Sequence, residues 1–235
     1  MKLGIMQPYF LPYIGYISLI KHTDMFILLD EVQFIRHGWI ERNRILKPTE
    51  GWQYIQVPLQ MYHQKDLIKN IRINNEIDWE RKILSQIGHY KKKAPYYYHA
   101  IDLLKNIFSR KYSTIVELNN YALNCVCDYL FINKDIRVFS EMNLSIEPVS
   151  EPDDWALNIS KALNAGEYWN PSGGVSISNK EKYDRANIIL KFHETVMERY
   201  PQKANTTFEP WLSILDVIMH NTPDRINQML DNYKN

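Results

Sequence analysis

Residues 30–48 bring together side chains that could bind a phosphorylated ligand and move a proton. The segment reads DEVQFIRHGWIERNRILKP. Arginine guanidinium groups bind phosphate through paired hydrogen bonds, and an indole ring offers a stacking face. An imidazole titrates near neutral pH and can serve as a base. The candidates for substrate binding in this segment are Gln33, Arg36, Trp39, Arg42, Asn43 and Arg44, and the catalytic candidates are Asp30, Glu31 and His37.

A solvated basic loop is the alternative explanation for this segment. An ion pair with a nearby glutamate would account for the presence of any single arginine. Such ion pairs account less well for several arginines, a histidine and amide side chains beside Trp39. Arg42 and Arg44 alternate, so in a strand both point to one face and Asn43 points to the other. We therefore expect at least one of these two arginines to face a ligand cleft, together with Arg36 or His37. The remaining histidines are scattered along the chain, and most of them are interpreted as structural.

The second group of candidates lies in residues 7–16, which read QPYFLPYIGY. A plain connection between a strand and a helix needs only residues such as Asp, Ser or Gly, whereas this one carries two prolines and four aromatic rings. Ligands of parallel sheets bind at the carboxyl ends of the strands, where this turn would lie. A buried aromatic corner without a ligand explains the rings equally well. The candidate binding residues are Gln7, Tyr9, Tyr13, Gly15 and Tyr16.

The C-terminal third adds two smaller groups of candidates. Two consecutive glycines follow a polar turn, and glycine permits close approach of the backbone to a ligand. The segment is not a P-loop, because no Gly-Lys-Ser/Thr follows, and a plain turn would also explain the glycines. A serine and an aspartate lie one turn apart at the start of a predicted helix, where they could contact a ligand or cap the helix. These candidates are Asn170, Gly173, Gly174, Ser213 and Asp216.

Hydrophobic periodicity predicts an α/β fold that positions these residues. Residues 3–6, 13–21 and 24–29 form a strand, a helix and a strand, which is a βαβ unit. Further strands are predicted at 52–59, 67–73, 136–139, 168–177 and 188–193. Helices are predicted at 78–92, 95–108, 114–131, 150–166, 211–220 and 224–233. We expect a single domain over 1–235, with an N-terminal α/β part (1–76), a helical insertion (77–132) and a C-terminal part (133–235) that completes the parallel-sheet core.

Composition excludes several classes of function. The 28 basic and 27 acidic residues give a formal net charge of +1, which provides no global field for DNA or an anionic membrane. No apolar stretch is long enough for a transmembrane helix, and no targeting segment is visible, so a cytoplasmic protein is expected. Cys125 and Cys127 cannot form a disulfide at this spacing, and no further ligand joins them, so no metal site is predicted.

The spacing of residues 13–16 resembles the HxGH signature of the nucleotidyltransferase superfamily, which opens the first helix of that fold. In that superfamily two histidines contact the phosphates of ATP, and the glycine lets the helix approach the nucleotide. Tyr13 and Tyr16 occupy the histidine positions in this sequence, and Gly15 stands at the glycine. A phenol can donate a hydrogen bond to phosphate but carries no positive charge at neutral pH. The resemblance concerns the spacing and position of these residues more than their chemistry. Tyr13 and Tyr16 disfavour ordinary nucleotidyl transfer.

The chain as a whole resembles the WbqC-like protein family from end to end. The N-terminal segments that carry the resemblance are Gln7-Pro8-Tyr9, Leu11 to Tyr16, Asp24 with Phe26 to Asp30, Val32-Gln33-Phe34, Arg42-Asn43-Arg44 and Gly51 to Pro58. The C-terminal segments are Tyr168-Trp169-Asn170, Gly173-Gly174, Tyr200-Pro201-Gln202, Phe208-Glu209-Pro210 and Leu212 to Asp216. Ser172 before the glycine pair is a mild departure from the family pattern.

This resemblance implies a role in bacterial surface polysaccharide (O-antigen, lipopolysaccharide) biosynthesis. The implied activity is that of a transferase or ligase that decorates a nucleotide-linked amino sugar, by forming an amide between the sugar amine and an amino acid such as glycine. The acyl donor would be activated with ATP or supplied by a carrier such as aminoacyl-tRNA. The alternative is a nucleotidyltransferase-like protein without catalysis, which binds sugar nucleotides or acts as a scaffold for the pathway.

Amide formation needs a neutral amine, so a group near the amine must accept a proton. His37 has a suitable intrinsic pKa, while Asp30 ends a buried strand and is held more rigidly. We predict that Asp30 or Glu31 positions the ammonium and that His37 takes the proton. A simple ion pair between Asp30 and a loop arginine is an equally good explanation.

Overall fold

The computed structural model describes residues 1–202 and 207–235, and its centre is a six-stranded sheet with a separate two-stranded hairpin. The strands are β1 (Lys2–Met6), β2 (Met25–Leu28), β3 (Arg42–Leu46), β4 (Trp52–Gln56), β5 (Asp135–Val138), β6 (Glu167–Pro171), β7 (Ile189–Thr195) and β8 (Tyr233–Lys234). The order across the sheet is β5-β2-β1-β6-β7-β8. Strands β5 to β7 in this order are parallel, and β8 is antiparallel to β7. The predicted α/β class is therefore confirmed.

Strand order reverses direction at the centre of this sheet. The chain leaves β1 toward β2 and β5 on one side, and later adds β6 and β7 on the other side. In open parallel sheets such a switch point leaves a crevice beyond the carboxyl ends of the two central strands. The sheet thus predicts a ligand site beyond Met6 of β1 and Pro171 of β6.

Helices cover both faces of the sheet. They are α1 (Ile14–His22), α2 (Trp79–Gln86), α3 (Tyr97–Ile107), α4 (Ile115–Tyr129), α5 (Asp154–Ala162), α6 (Lys180–Arg185), α7 (Ile214–His220) and α8 (Pro223–Leu230). Leu3 and Ile5 of β1 pack on one face with Ile159 of α5 and Tyr183 of α6. Phe26 of β2 points to the opposite face, into the larger core that the other helices share. None of the helices in the described residues is long and apolar enough to cross a membrane.

Several helices start with the expected side-chain cap, whereas α1, at the cleft end of the sheet, does not. Thr114 forms the predicted capping box with Glu117 at the start of α4. Thr222 caps α8, and Pro223 occupies its first position. Tyr13 stands at the N-cap of α1 but makes no side-chain hydrogen bond to that helix. The amide groups of the first turn of α1 therefore lack a side-chain cap.

The β3–β4 hairpin is attached to α7 and to the segment after α2. The Ser213 amide donates to the Arg44 carbonyl at 2.8 Å, and the Leu46 amide donates to the Tyr90 hydroxyl at 2.8 Å. Arg42 and Arg44 share one face of the hairpin, as alternation predicts, because their guanidinium groups lie over rings of the facing strand β4. These attachments fix the height of the hairpin above the sheet.

Two predicted strands differ in the structure. Residues 67–73 do not form a strand: Ile68–Asn70 is a turn of 3-10 helix, flanked by isolated bridges to other loops. The strand predicted at 168–177 ends at Pro171, and Ser172–Gly174 forms another 3-10 turn. At 67–73 the alternating isoleucines are buried, but in the described residues only isolated bridges pair the segment with other loops. At 172–174 the residues Ser-Gly-Gly carry no apolar alternation.

Two predicted helices differ at their ends. The helix predicted at 78–92 ends at Gln86, and Gly88–Lys92 continues as 3-10 helix. The next helix begins at Tyr97, two residues after Pro95, which was expected to be its first residue. Gly88 interrupts the helical ladder, since glycine is a poor helix former.

Candidate functional site

A cleft lies at the switch point, beyond the carboxyl ends of β1, β6 and β7. It has two lobes, which share residues Tyr9, Tyr13, Trp39, Ser172 and Trp211. The hairpin lobe, of about 340 Å³, adds Asn43 and Arg44. The sheet lobe, of about 500 Å³, adds Met6, Asn170 to Gly174, Ile177 and His193 to Thr195. Both volumes fall in the usual range for small-molecule sites.

Aromatic rings form the walls where the two lobes meet. Tyr13 and Trp211 meet edge to face, with ring centroids 5.8 Å apart. Tyr9 packs on the buried ring of Tyr16 at 5.4 Å. Trp39 and Trp211 remain 37% and 38% exposed, which is unusual for such large apolar side chains. Exposed rings facing a common space can stack on a base or a sugar.

Arg44 supplies the positive charge of the hairpin lobe. Its guanidinium lies 5.3 Å from the ring centre of Trp39 and 5.1 Å from that of Trp52. Its Nη2 donates to the Trp211 carbonyl at 3.2 Å, and its buried Nε has no hydrogen-bond partner in the described residues. No acidic side chain in residues 1–202 and 207–235 forms a salt bridge with Arg44. The guanidinium is therefore held in place by rings and retains its charge for an anion.

Trp211 has a backbone conformation that side chains of its size rarely adopt. Its φ angle is 57°, in the left-handed region. A bulky residue at positive φ is held there by its surroundings at a cost of about 1–3 kcal/mol. Leu11, on the β1–α1 connection beneath the cleft, also has a positive φ, of 42°. Strain of this kind concentrates at functional sites, and here it places the Trp211 ring and carbonyl in the cleft.

The first turn of α1 brings the HxGH-like frame to the cleft only in part. Tyr13 lines both lobes, whereas Tyr16 is fully buried and its hydroxyl donates to the Gln7 carbonyl at 2.9 Å. Burial raises the pKa of Tyr9 and Tyr13 and raises that of Tyr16 further, so all three phenols stay neutral. Tyr16 is thus a core residue and not a binding residue, because its ring fills the space between Tyr9 and the sheet.

Gly15 allows the close contact between α1 and the end of β7. A Cβ atom at this position would lie 2.4 Å from Cε2 of Tyr13 and 3.1 Å from Oγ1 of Thr195. Any larger residue would displace the ring that lines the cleft. Gly15 lies inside α1, as expected, and its role is to seat Tyr13.

The glycine pair after β6 lines the sheet lobe. Gly173 has open space around it, so a ligand can approach its backbone. At Gly174 a Cβ atom would lie 2.1 Å from Nδ2 of Asn170, whose side chain covers that glycine. The Asn170 amide also donates to Ser178 Oγ at 3.4 Å. Asn170 thus holds the turn as well as lining the cleft.

The three predicted catalytic residues do not line the cleft. Asp30 is 1% exposed, and its carboxylate accepts from the Ser140 amide at 3.0 Å and hydroxyl at 2.5 Å. Burial raises the pKa of Asp30, and the bonds from Ser140 oppose this rise. Glu31 pairs with Lys69 at 2.5 Å. His37 is exposed, and its left-handed backbone (φ 63°) directs its amide to Glu41 at 3.2 Å. The predicted proton route is therefore not assembled in this structure.

The other loop candidates also have separate positions. Gln33 and Arg36 line a second depression with Phe34, Ile35, Met61, Tyr62 and Gln64. The Gln33 amide donates to the Gln64 carbonyl at 2.7 Å. Arg42 lies 4.1 Å over Tyr54, and its guanidinium donates to the carbonyls of His37 and Gly38. We expected one hairpin arginine and either Arg36 or His37 to face the same cleft. Arg44 lines the cleft, whereas Arg36 and His37 do not.

Asn43 and the two α7 candidates support the cleft from behind. Asn43 donates to the carbonyls of Phe10 and Leu11 at 3.0 Å each, while still lining the hairpin lobe. Ser213 caps α7 and donates to the Leu11 carbonyl at 2.7 Å. Ser213 is fully buried, so its capping alternative is the one that the structure favours.

Asp216 is a completely buried carboxylate in a hydrogen-bond network. It accepts from the hydroxyls of Tyr90 and Tyr200 at 2.7 Å each and from Nε2 of Gln202 at 3.1 Å. The same carboxylate raises the pKa of both tyrosines, after burial, which is the larger cause. Asp216 therefore ties the hairpin, the 3-10 helix before α3 and the segment before α7 together. It does not face the cleft.

Sequence reasoning missed the contributions of Trp211, Glu194 and Thr195. Trp211 directly precedes the segment Leu212 to Asp216, which the sequence analysis did identify. The left-handed backbone of Trp211 brings its ring into the cleft. Glu194 and Thr195 end β7, a strand predicted to stop at residue 193. The rule that ligands bind beyond strand ends could have found both, had the strand been extended by two residues.

Comparison with known proteins supports the assignment from motifs. The family model described as the WbqC-like protein family matches residues 7–228. The chain is also 27% identical over 223 residues to the uncharacterized protein Rv1507c of Mycobacterium tuberculosis. The aligned residues cover 93% of this chain and 93% of that protein. No solved structure matches this chain.

Proposed function

The chain belongs to the WbqC-like protein family, which suggests a polysaccharide-related role, and we propose that it is a transferase or ligase acting on a nucleotide-linked amino sugar. The proposed reaction forms an amide between the sugar amine and an acyl group such as that of glycine. Its site is the cleft at the switch point of the sheet.

The observation that carries this proposal is the state of Arg44. Its guanidinium lies within 5.3 Å of the centres of two indole rings and makes no salt bridge within the described residues. Arg44 also lines a cleft walled by aromatic side chains. A guanidinium binds a diphosphate bidentately, and rings beside it can hold a base or a hexose. This combination fits a sugar nucleotide better than it fits a purely apolar ligand.

The proposed chemistry needs an activated acyl donor, either a mixed anhydride made with ATP or an ester on a carrier such as tRNA. The amine nitrogen attacks the acyl carbon, and the bond from that carbon to the leaving oxygen breaks with its electron pair. The nitrogen then loses a proton to a base or to water. The neutral hydroxyl groups of Tyr9 and Tyr13, which line the cleft, can donate hydrogen bonds to phosphate or to the developing oxyanion.

A second candidate function is a sugar-nucleotide binding protein without catalysis. It is favoured by one observation: Asp30, Glu31 and His37, the residues expected to handle the proton, lie outside the lining of the cleft. Such a protein would carry or present the sugar nucleotide to another enzyme. The two candidates differ in turnover and not in binding.

A thermal-shift panel of UDP-, GDP- and dTDP-linked sugars, ATP and glycine tests the proposal. A ligand at a hundredfold excess over its Kd stabilises the fold by about 2.7 kcal/mol. Arg44→Ala should weaken sugar-nucleotide binding by about 1.5–3 kcal/mol, the range for a charged hydrogen bond. Arg36→Ala is the matched control, because Arg36 lines the separate depression. Equal affinities in the wild type and Arg44→Ala would refute the site.

Turnover separates the two candidate functions. Sugar nucleotides that bind are incubated with glycine and ATP, or with glycyl-tRNA, and the products are analysed by mass spectrometry. A sugar nucleotide heavier by one glycyl group supports the transferase or ligase. Binding without conversion by either donor supports the carrier.

A further inference from the structure

The lining of the cleft contains one cationic and one anionic side chain among the described residues. Arg44 lies in the hairpin lobe, and Glu194 lies in the sheet lobe. The aromatic walls shared by both lobes separate them. Burial and the neighbouring His22 lower the pKa of His193, the other titratable side chain beside Glu194, to about 4, so that imidazole is neutral. The cleft is therefore electrically polarised from end to end.

The Glu194 carboxylate has no hydrogen-bond or ion-pair partner within the described residues, whereas other carboxylates near β7 have one. Glu194 is the last residue but one of β7 and is exposed, and its side chain makes no hydrogen bond or salt bridge with the described residues. Lys234 lies opposite in β8, but the two side chains form no salt bridge. By contrast, Glu198 binds Arg225, and Glu167 accepts from the Trp169 indole at 2.7 Å. Glu194 differs from these carboxylates in that it lines the cleft and its side chain forms no ion pair or hydrogen bond with the described residues.

We infer that Glu194 binds the ammonium group of the amino sugar, so that the ligand lies with its diphosphate at Arg44 and its amine in the sheet lobe. This inference rests on the proposed function, and it replaces Asp30, Glu31 and His37 as the group that receives the amine. A carboxylate within contact distance of an ammonium gains both attraction and a charge-assisted hydrogen bond.

The opposite orientation is unfavourable on charge alone. It would place the diphosphate beside Glu194 and the ammonium beside the Arg44 guanidinium, so both ends of the ligand would meet like charges. Such juxtapositions are the usual means by which sites reject wrong ligands. The inferred orientation also places the amine in the lobe that Gly173 lines, and the open space at Gly173 leaves room for an approaching acyl group.

Paired ligands that differ only in the charge of the amine provide the test. For the nucleotide that gives the largest thermal shift, the amino sugar and its N-acetyl derivative are titrated by calorimetry at pH 7. The wild type should bind the amino sugar up to about fivefold more tightly, the upper end of the range for a solvent-accessible ion pair. Glu194→Gln should bind both ligands equally, while Glu194→Asp should retain the preference.

Glu198→Gln is the matched control, because Glu198 is a carboxylate that follows the same strand but does not line the cleft. It should keep the wild-type preference. If sugar nucleotides bind and Glu194→Gln still prefers the amine as strongly as the wild type, the orientation is wrong while the proposed function stands. If no sugar nucleotide binds at all, both the proposed function and this inference fail.

Discussion

Acidification should destabilise the protein through His193, which lies on β7 at the edge of the sheet lobe. The imidazole is 3% exposed, and its Nε2 lies 2.8 Å from Ser18 Oγ. The serine hydroxyl donates its one proton to the Leu230 carbonyl at 2.6 Å, so Nε2 of His193 must be the donor in their contact. Burial, and after it the neighbouring His22, lower the pKa of His193 to about 4.

The size of the loss in stability follows from the pKa of His193 in the unfolded chain, 6.5, and in the folded chain, about 4. Above pH 6.5 the imidazole is neutral in the folded and the unfolded chain, so its contribution to stability is fully present. Below that pH the unfolded chain takes up a proton, while the folded chain resists doing so until about pH 4. The free energy of unfolding should therefore fall by up to about 3 kcal/mol across this window, at most about 1.4 kcal/mol per pH unit.

Urea unfolding of the wild type and of His193→Phe at pH values from 7 to 4 measures this effect. The variant is expected to be less stable at pH 7, because it loses the bond to Ser18, and to lose less stability on acidification. His22, whose pKa burial also lowers, titrates in both proteins. His63→Phe, at an exposed histidine, controls for the loss of an imidazole. Parallel stability curves for the wild type and His193→Phe would refute the reasoning.

Three further substitutions test one contact at the cleft and two hydrogen-bond arrangements outside its lining. Gly15→Ala should cost about 1–3 kcal/mol of stability through overpacking against Tyr13 and should weaken sugar-nucleotide binding; unchanged affinity would show that the Tyr13 ring is not needed. Asp216→Asn should lower the free energy of unfolding in urea by about 1.5–3 kcal/mol, because it removes a charged acceptor shared by two tyrosines; a neutral effect would contradict the network. Thr114→Ala should cost about 1 kcal/mol by removing the α4 cap while leaving ligand affinity unchanged, and altered affinity would contradict this separation.

The central βαβ unit could be predicted because its signals are local. The runs at 3–6 and 25–29 carry no polar side chain, as strands buried on both faces require, and a helical period lies between them. The segment at 67–73 has an equally good alternation, yet it forms a 3-10 turn with isolated bridges. Alternation indicates which side chains are buried, whereas a strand also needs a neighbour to complete its hydrogen bonds, and that neighbour is set by the tertiary fold.

The cleft could be predicted in outline for the same reason. Tyr9, Tyr13 and Arg44 follow from strand ends and alternation, which are properties of nearby sequence. Which side chains of the 30–41 loop turn away could not be predicted, since a left-handed residue at His37 redirects the chain. The position of Trp211 depends on its own positive φ and on a bond to Arg44, 167 residues earlier in the chain.

Tyr13 and Tyr16 at the start of α1 limit the kind of chemistry that the cleft can support. A departing pyrophosphate develops charge that needs several cations or hydrogen-bond donors to stabilise it. Here burial keeps the pKa of Tyr13 and Tyr16 high, the Tyr16 hydroxyl is bound to a backbone carbonyl, and Arg44 is the one cation that lines the cleft within the described residues. In the proposed reaction one guanidinium would be sufficient to bind an intact diphosphate, because the charge of the diphosphate would not change during acyl transfer at a distant amine. The electrostatics of the cleft therefore favour a reaction in which the diphosphate serves for binding and the bond that forms lies at the opposite end of the ligand.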